Sequence, residues 1–420
     1  MTILIRKARI LDRESPHHGQ TADLLIRDGR IEKIGDLGNP KADHTLQADR
    51  LHASPGWVET FADCGEPGHE QRETLETAAQ AAAAGGFTHL FVLPETKPAV
   101  HDRSLVTYIR EKAVTAPVTL HPIGAVTRDN AGTELAEMYD MRDAGAIAFS
   151  DGHHPVQSAG LLIKALQYVK AFDGVLIQVP DDHTVAPHGL MHEGIVSTRL
   201  GLAGKPALAE ELIVARDIKL ARYAESRIHF TGVSLPKSIE YVSRARQGGI
   251  AVTCSVTPQH LYFCDEDLEG YDTLLRMDPP LRTAADREAL LAAVLDGRVD
   301  CVSSHHQPHE PDRKACEFAH ASPGMTGLET CFGVLRTVGI PSDRCVELLS
   351  LNPRKIFGLP TATIQEGAEA DLTLFDPDHG YVLTKEHLRS RSSNTPFLGK
   401  ELKGRVVGIL NKGRWMGEQP

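Results

Sequence analysis

The sequence has 420 residues, of which 41% are hydrophobic and 24% charged, a composition typical of a folded globular chain. Its formal net charge of -11 argues against a nucleic-acid partner, because binding nucleic acid requires a basic face. No run of eighteen apolar residues occurs, so the sequence also predicts no membrane-spanning segment.

Both ends of the chain carry short β-strand patterns. Four segments combine β-branched and aliphatic side chains in this way: 2–5, 23–26, 371–375 and 406–410. The residues between the two ends follow a different pattern. We therefore predict that the ends meet in one small β-sandwich domain, built from residues 1–55 and 356–420.

The middle of the chain alternates apolar strand patterns with amphipathic helix patterns. Eight strand candidates occur, at 57–63, 88–93, 118–124, 146–150, 175–179, 228–230, 250–254 and 299–303. Helix patterns such as 71–84 and 207–224 separate them. Eight β/α units over residues 56–355 predict a (β/α)8 TIM barrel. The alternative is an open doubly wound sheet, but no glycine-rich phosphate loop follows the first strand.

Two polar, histidine-containing insertions follow the fifth and the eighth strand candidates. They span residues 181–205 and 304–327. Barrel enzymes carry their chemistry in loops at the carboxyl ends of strands, so these insertions are candidate site regions. The second contains His305, His306 and His309, which either bind a metal or belong to a polar loop. His153 and His154 offer the same choice, and we expect them to be surface-loop histidines.

Seven cysteines are scattered along the chain, without any CxxC pair. Their odd number and wide spacing favour reduced thiols over a disulfide framework or a zinc ribbon. The first residues also lack the apolar core of a secretory signal. We therefore expect a cytoplasmic protein.

An ordered series of motifs resembles the dihydroorotase family of the amidohydrolase superfamily. The motifs are 54–58, 66–68, 81–88, 148–151, 192–194, 208–211, 278–282, 308–309, 327–330, 352–359 and 369–372. They span nearly the whole chain in the family's order. The resemblance implies a (β/α)8 barrel with a β-domain from both termini, which agrees with the patterns above. It also implies hydrolysis of a cyclic amide in pyrimidine biosynthesis.

The metal ligands implied by this resemblance are mostly absent. The family uses one or two divalent metals, which lower the pKa of a bound water and polarise the amide carbonyl. The positions that match its ligands hold Glu59, Phe61, Asp63, Gln178, Gly232 and His305, and of the ligand types only Asp151 remains. The matching substrate-binding positions hold Gly65 and Glu95, while His309 still agrees with the family. A carboxylate at 95 repels an anionic substrate.

Two chemical alternatives remain open for this changed site. Asp63, Asp151 and His305 match positions that converge in the family, so they are candidate ligands for one zinc or another divalent ion. Otherwise these residues bond to each other and no cofactor is needed, which is the interpretation we prefer. Glu66 and Glu95 are a candidate acid–base pair, although carboxylates in loops are more often solvated.

We therefore predict a catalytically inactive member of the dihydroorotase family. Inactive members resemble this chain and assemble with aspartate carbamoyltransferase, so that enzyme is the first candidate partner. We expect a homodimer. The alternative hypothesis is an active, metal-dependent cyclic amide hydrolase with a rearranged metal site.

Overall fold

The computed structural model describes residues 1–417, so residues 418–420 of the predicted terminal domain lie outside the described residues. Strands and helices alternate through most of the chain. The strands are β1 (Thr2–Ile10), β2 (Thr21–Arg27), β3 (Arg30–Gly35), β4 (His44–Leu46), β5 (His52–Pro55), β6 (Trp57–Ala62), β7 (Phe87–Val92), β8 (Thr119–Pro122), β9 (Val175–Gln178), β10 (Met191–His192), β11 (Gly204–Lys205), β12 (Arg227–Phe230), β13 (Val252–Val256), β14 (Cys301–Val302), β15 (Leu372–Val382), β16 (Glu401–Asn411) and β17 (Arg414–Gly417).

The helices lie mainly between the barrel strands. They are α1 (Leu75–Ala84), α2 (Arg103–Lys112), α3 (Met138–Ala144), α4 (Ala159–Lys170), α5 (Ile195–Leu200), α6 (Leu208–Ala224), α7 (Pro236–Gln247), α8 (Pro258–Tyr262), α9 (Ala284–Leu295), α10 (Cys331–Thr337), α11 (Ser342–Val346) and α12 (Asn352–Phe357). Alanines give α1 a high helix propensity, and Thr74 caps its first turn by accepting from the Thr77 N–H at 3.1 Å. Within residues 1–417, no helix is long and apolar enough to cross a membrane.

Strands from both ends of the chain form one sheet. Its order is β17-β16-β15-β5-β1-β2-β3, with β4 paired to β1. β15 runs antiparallel to β5 with Leu374 opposite Ala53, so the C-terminal strands bond directly to N-terminal ones. Its buried face includes Ile5, Leu24 and Leu372. The expected joining of the two ends is confirmed, while domain boundaries at residues 55 and 355 stay predictions.

The middle of the chain is a closed ring of eight parallel positions. β6-β7-β8 form one arc, and β9-β12-β13-β14 form the other. Single bridges from Phe149 to Gly124 and to Leu176 join the arcs on one side, at the place where a longer fourth strand was predicted. A bridge between Ala62 and His306 closes the ring on the other side. The ring is the (β/α)8 barrel that the sequence predicted.

A polar network lies at the barrel floor, where the terminal sheet meets the barrel. The Nε2–H of His89 donates to Asp371 at 3.0 Å, and its Nδ1 lies 2.8 Å from Nε2 of His121. Arg354 donates to the same Asp371 oxygen at 2.6 Å. One of the two facing ring nitrogens of His89 and His121 donates to the other. Burial, together with His89, lowers the pKa of His121 to about 3.

This network predicts a pH-dependent contribution to stability. An unfolded histidine binds a proton below about pH 6.5, whereas folded His121 binds one only near pH 3. The stabilisation associated with neutral, buried His121 is therefore complete above pH 6.5. As the pH falls from 6.5 towards 3, the unfolding free energy decreases by about 1.4 kcal/mol per pH unit. We expect His121→Gln to reduce the fall in unfolding free energy between pH 6.5 and 4.5, measured by urea denaturation. His320→Gln, at an exposed histidine, is the control and should leave the slope unchanged.

Candidate active site at the barrel mouth

An aromatic ring occupies the centre of the barrel mouth. Phe61, near the carboxyl end of β6, has no solvent exposure. Its ring lies against that of His305, with centroids 4.5 Å apart and planes tilted by 31°. His153 packs edge-on against Phe61 from another side, at 5.1 Å. Phe61 thus fills the space between these two histidines.

Gly232 and His305 fit together because glycine has no side chain. Gly232 has a φ of +69°, a backbone conformation that residues with a Cβ rarely adopt. A Cβ at this position would lie 2.6 Å from Cε1 of His305, well inside van der Waals contact. The imidazole therefore occupies the space that a side chain at 232 would need.

His305 ends a chain of hydrogen bonds that runs into the barrel interior. Ser255 donates to Thr231 at 2.9 Å, so the Thr231 hydroxyl is left to donate to Nε2 of His305, at 2.7 Å. Ser255 then accepts from Nε2 of His229 at 3.2 Å, and Nδ1 of His229 accepts from Thr253 at 2.8 Å. Burial lowers the pKa of His229 to about 3 and that of His305 well below its ordinary value. Both rings are therefore neutral, and Nε2 of His305 is used as an acceptor.

The two candidate acidic ligands have protein partners of their own. Asp63 lies 3.2 Å from Arg72 and accepts from the Gly65 N–H at 2.8 Å. Asp151 accepts from the Thr127 N–H at 2.8 Å and from the Thr127 hydroxyl at 2.5 Å. Burial raises the pKa of Asp151 to about 6, although the bonds from Thr127 oppose this. Neither carboxylate bonds to His305.

Glu95 pairs with a histidine that was expected at the surface. Nδ1 of His153 lies 2.7 Å from the Glu95 carboxylate, and its side chain is only 14% exposed, so the surface interpretation is wrong for His153. His154 is 65% exposed and lies 3.4 Å from Glu95. Burial opposes ionisation of Glu95, but the His153 imidazolium holds the pKa of Glu95 below its ordinary value. The predicted partner, Glu66, instead accepts from the Tyr108 hydroxyl at 2.6 Å.

Two other histidines of the 304–327 insertion, His306 and His309, are buried and bonded within the protein, whereas His320 is exposed. His306 lies 3.3 Å from Glu73, and neither side chain is exposed. Nε2 of His309 donates to the Pro323 carbonyl at 2.7 Å, and burial lowers the pKa of His309 to about 4. The match of His309 to a substrate-binding position therefore stays a prediction, because in this structure its ring holds a loop carbonyl.

The residues at the mouth do not fit a metal of the kind that the resemblance implies. Phe61 and Gly232 offer no donor atom, and the Gln178 amide is engaged with Asp217 at 3.3 Å. Zinc takes neutral imidazoles and free carboxylates as ligands. Within residues 1–417, no three histidine, cysteine, aspartate or glutamate side chains are arranged to hold an ion. The candidate ligands Asp63, Asp151 and His305 therefore do not form such a group among the described residues.

Known bacterial proteins are similar to this chain over nearly its whole length. A dihydroorotase of Pelotomaculum thermopropionicum is 39% identical, over 99% of this chain and 98% of its own length. A dihydroorotase of Geobacter sp. strain M21 is 38% identical over 99% of each chain. The chain belongs to the dihydroorotase family. The family model described as dihydro-orotase-like matches residues 53–238.

Solved structures agree with the dihydroorotase-family fold. An L-hydantoinase (dihydropyrimidinase) from Arthrobacter aurescens superposes with a TM-score of 0.87 at 24% identity, covering 99% of this chain and 96% of that one. A dihydropyrimidinase from Brevibacillus agri gives 0.83 at 21% identity, over 100% and 95%. At these identities the likeness concerns the fold, an amidohydrolase barrel with a sheet of terminal strands.

Three residues that bond to the candidate ligands at the barrel mouth of this dihydroorotase-family chain were not predicted from the sequence. Arg72 and Thr127 engage the two candidate acidic ligands, and Thr231 engages His305. Arg72 and Thr127 lie outside the family motifs, so no motif pointed to them. Thr231 directly precedes Gly232, one of the positions that match the family's metal ligands. The pairing of Thr231 with His305 depends on the missing side chain at 232.

Proposed function

We propose that this member of the dihydroorotase family has no dihydroorotase activity. The observation that carries the proposal is the contact of His305 with Gly232 and Phe61, which fills the mouth where the family's chemistry takes place. The Thr231 hydroxyl also uses Nε2 of His305 as an acceptor. Nε2 of His305 is therefore engaged within the protein and is not free to take a proton from water.

Assays of the purified protein test this proposal directly. We expect no turnover of dihydroorotate or carbamoyl aspartate with zinc, cobalt or manganese added, because the loss of metal-activated hydroxide and of a general base each removes a factor of about 100 or more. Metal analysis should find well under one zinc per chain. About two zinc ions per chain, or turnover above the uncatalysed rate, would contradict the proposal.

Restoring one ligand should not restore activity. We expect Phe61→His to remain inactive in the same assays, because positions 178 and 232 still offer no imidazole and Arg72 still pairs with Asp63. A curated relative assayed beside it, such as the dihydroorotase of Geobacter sp. strain M21, is the positive control. Activity in the single variant would show that Phe61 alone blocks the site.

We infer that the chain acts instead as a structural partner in pyrimidine biosynthesis, with aspartate carbamoyltransferase as the first candidate, and that it forms a homodimer. An intact barrel with a filled mouth supports this role, because such a barrel can still bind another protein through its outer surface. Co-purification with the host's carbamoyltransferase and light scattering of the isolated chain test it. Absence of association, together with normal carbamoyltransferase assembly after gene deletion, would contradict it.

The alternative is an active cyclic amide hydrolase that holds zinc or another divalent ion with changed ligands. One observation favours it: Nε2 of His153 is buried and has no hydrogen-bond partner within residues 1–417. Glu95 holds the opposite ring nitrogen, which is how proteins orient imidazole ligands and bases, and binding of an ion would release the proton from Nε2 of the imidazolium. Turnover of a cyclic amide that a chelator abolishes, and that His153→Ala also abolishes, would favour this function over a structural role.

A further inference from the structure

A segment of the C-terminal chain crosses to the barrel mouth. Residues 384–400, here called the strap, leave the terminal sheet after β15 and return to it at β16. The strap lies against residues 304–327, here called the mouth loop, which contain the buried histidines described above. The strap therefore connects the terminal sheet with the mouth.

Asn394 is the main polar contact between the strap and the mouth loop. It is 6% exposed, and its Oδ1 accepts from the His309 N–H at 3.0 Å. Its Nδ2 donates to the carbonyls of Gln307 at 2.9 Å and Gly324 at 3.4 Å. Its main-chain carbonyl accepts from the Thr326 N–H at 3.1 Å. One side chain thus joins both ends of the mouth loop, so the loop cannot lift while these bonds persist.

Glu73 ties the strap and the mouth loop to the first barrel unit. The Ser390 hydroxyl and the Arg391 N–H, the latter at 3.1 Å, donate to its carboxylate. His306, on the mouth loop, lies 3.3 Å from the same carboxylate. Glu73 directly precedes Thr74, the cap of α1, so its position is fixed by a rigid helix. The strap and the mouth loop are therefore both held by the Glu73 carboxylate.

Apolar packing closes the outer side of the same contact. Phe397 of the strap packs against Phe263, with ring centroids 5.1 Å apart. Phe318 and Met325 of the mouth loop belong to the same buried cluster. The centre of the mouth loop is also held, because Arg276 donates to the Ala319 carbonyl at 2.8 Å.

We propose that the strap acts as a latch: it keeps the mouth loop closed, mainly through the hydrogen bonds that Asn394 makes to both ends of that loop. Opening of the barrel mouth requires release of the strap first, because Asn394 bonds to both ends of the loop. The strap is continuous with β15 and β16, so its release would also free its two ends from the terminal sheet only if those strands moved. The proposed latch does not rest on the proposed lack of activity, because these contacts hold the mouth loop whether or not the mouth is catalytic.

Hydrogen–deuterium exchange on the full chain tests the latch. The informative amides are those of Gln307, Ser322 and Gly324, which bond to carbonyls of other residues and not to Asn394. Asn394→Ala removes three side-chain hydrogen bonds, so we expect these amides to exchange about tenfold faster or more.

The matched control is Asn411→Ala. Asn411 is equally buried and donates to the Thr88 and Pro117 carbonyls at the barrel floor, so its loss should destabilise the fold without opening the mouth loop. If Asn394→Ala does not fold, Asn394→Asp keeps the shape and the Oδ1 acceptor but loses the two donated bonds, and should open the loop in the same way. Unchanged exchange at the three amides, or an equal rise in Asn411→Ala, would overturn the latch.

Discussion

Placing histidine at position 232, where the family has a metal ligand, is expected to destabilise the protein by about 2–5 kcal/mol. Two effects add. The new Cβ would lie 2.6 Å from Cε1 of His305, and overpacking of this kind costs about 1–3 kcal/mol. The φ of +69° costs a further 1–2 kcal/mol for a residue with a side chain, by order of magnitude. Urea denaturation of Gly232→His measures the sum.

A control with the same backbone conformation separates the two effects. Gly358 has the same φ of +69° but nothing within 4 Å of its Cβ position, so Gly358→His should lose only about 1–2 kcal/mol. Changing His305 to Asp in the Gly232→His background should recover about 1 kcal/mol or more, because the two positions share one space. Equal losses at 232 and 358 would show that His305 does not occupy that space.

Removing the ring of Phe61 is expected to cost about 3–5 kcal/mol of unfolding free energy, the usual loss for a fully buried phenylalanine truncated to alanine. Phe61 has no exposed surface and touches both His305 and His153, so the cavity would open between two neutral or paired imidazoles that cannot fill it. Chemical denaturation of Phe61→Ala at pH 7 measures this loss.

A conservative variant completes the test at Phe61. Phe61→Leu retains apolar bulk and should lose clearly less than the alanine variant, because most of the removed contact is kept. A loss below about 1 kcal/mol in Phe61→Ala would mean that the mouth rearranges easily and that Phe61 does not hold it filled.

The sequence predicted most of the fold because its signals are local and repeated. Strand patterns at 57–63 and 175–179 sit at barrel positions, and the β-rich ends meet in one sheet. It predicted less at 146–150, where the structure has single bridges at Phe149. It also misplaced His153, because a loop position in the sequence does not reveal burial.

The sequence by itself determined the family, the order of the barrel units and the absence of donor atoms at positions 61 and 232. These follow from residue identity and from the order of motifs, which need no knowledge of three-dimensional contacts. Only the tertiary structure decided what replaced the lost groups. The pair Thr231–His305 and the bond of Asn394 to the mouth loop join residues far apart in the chain. Such pairs depend on chain closure and on side-chain packing within a closed barrel, so no local pattern of residues specifies them.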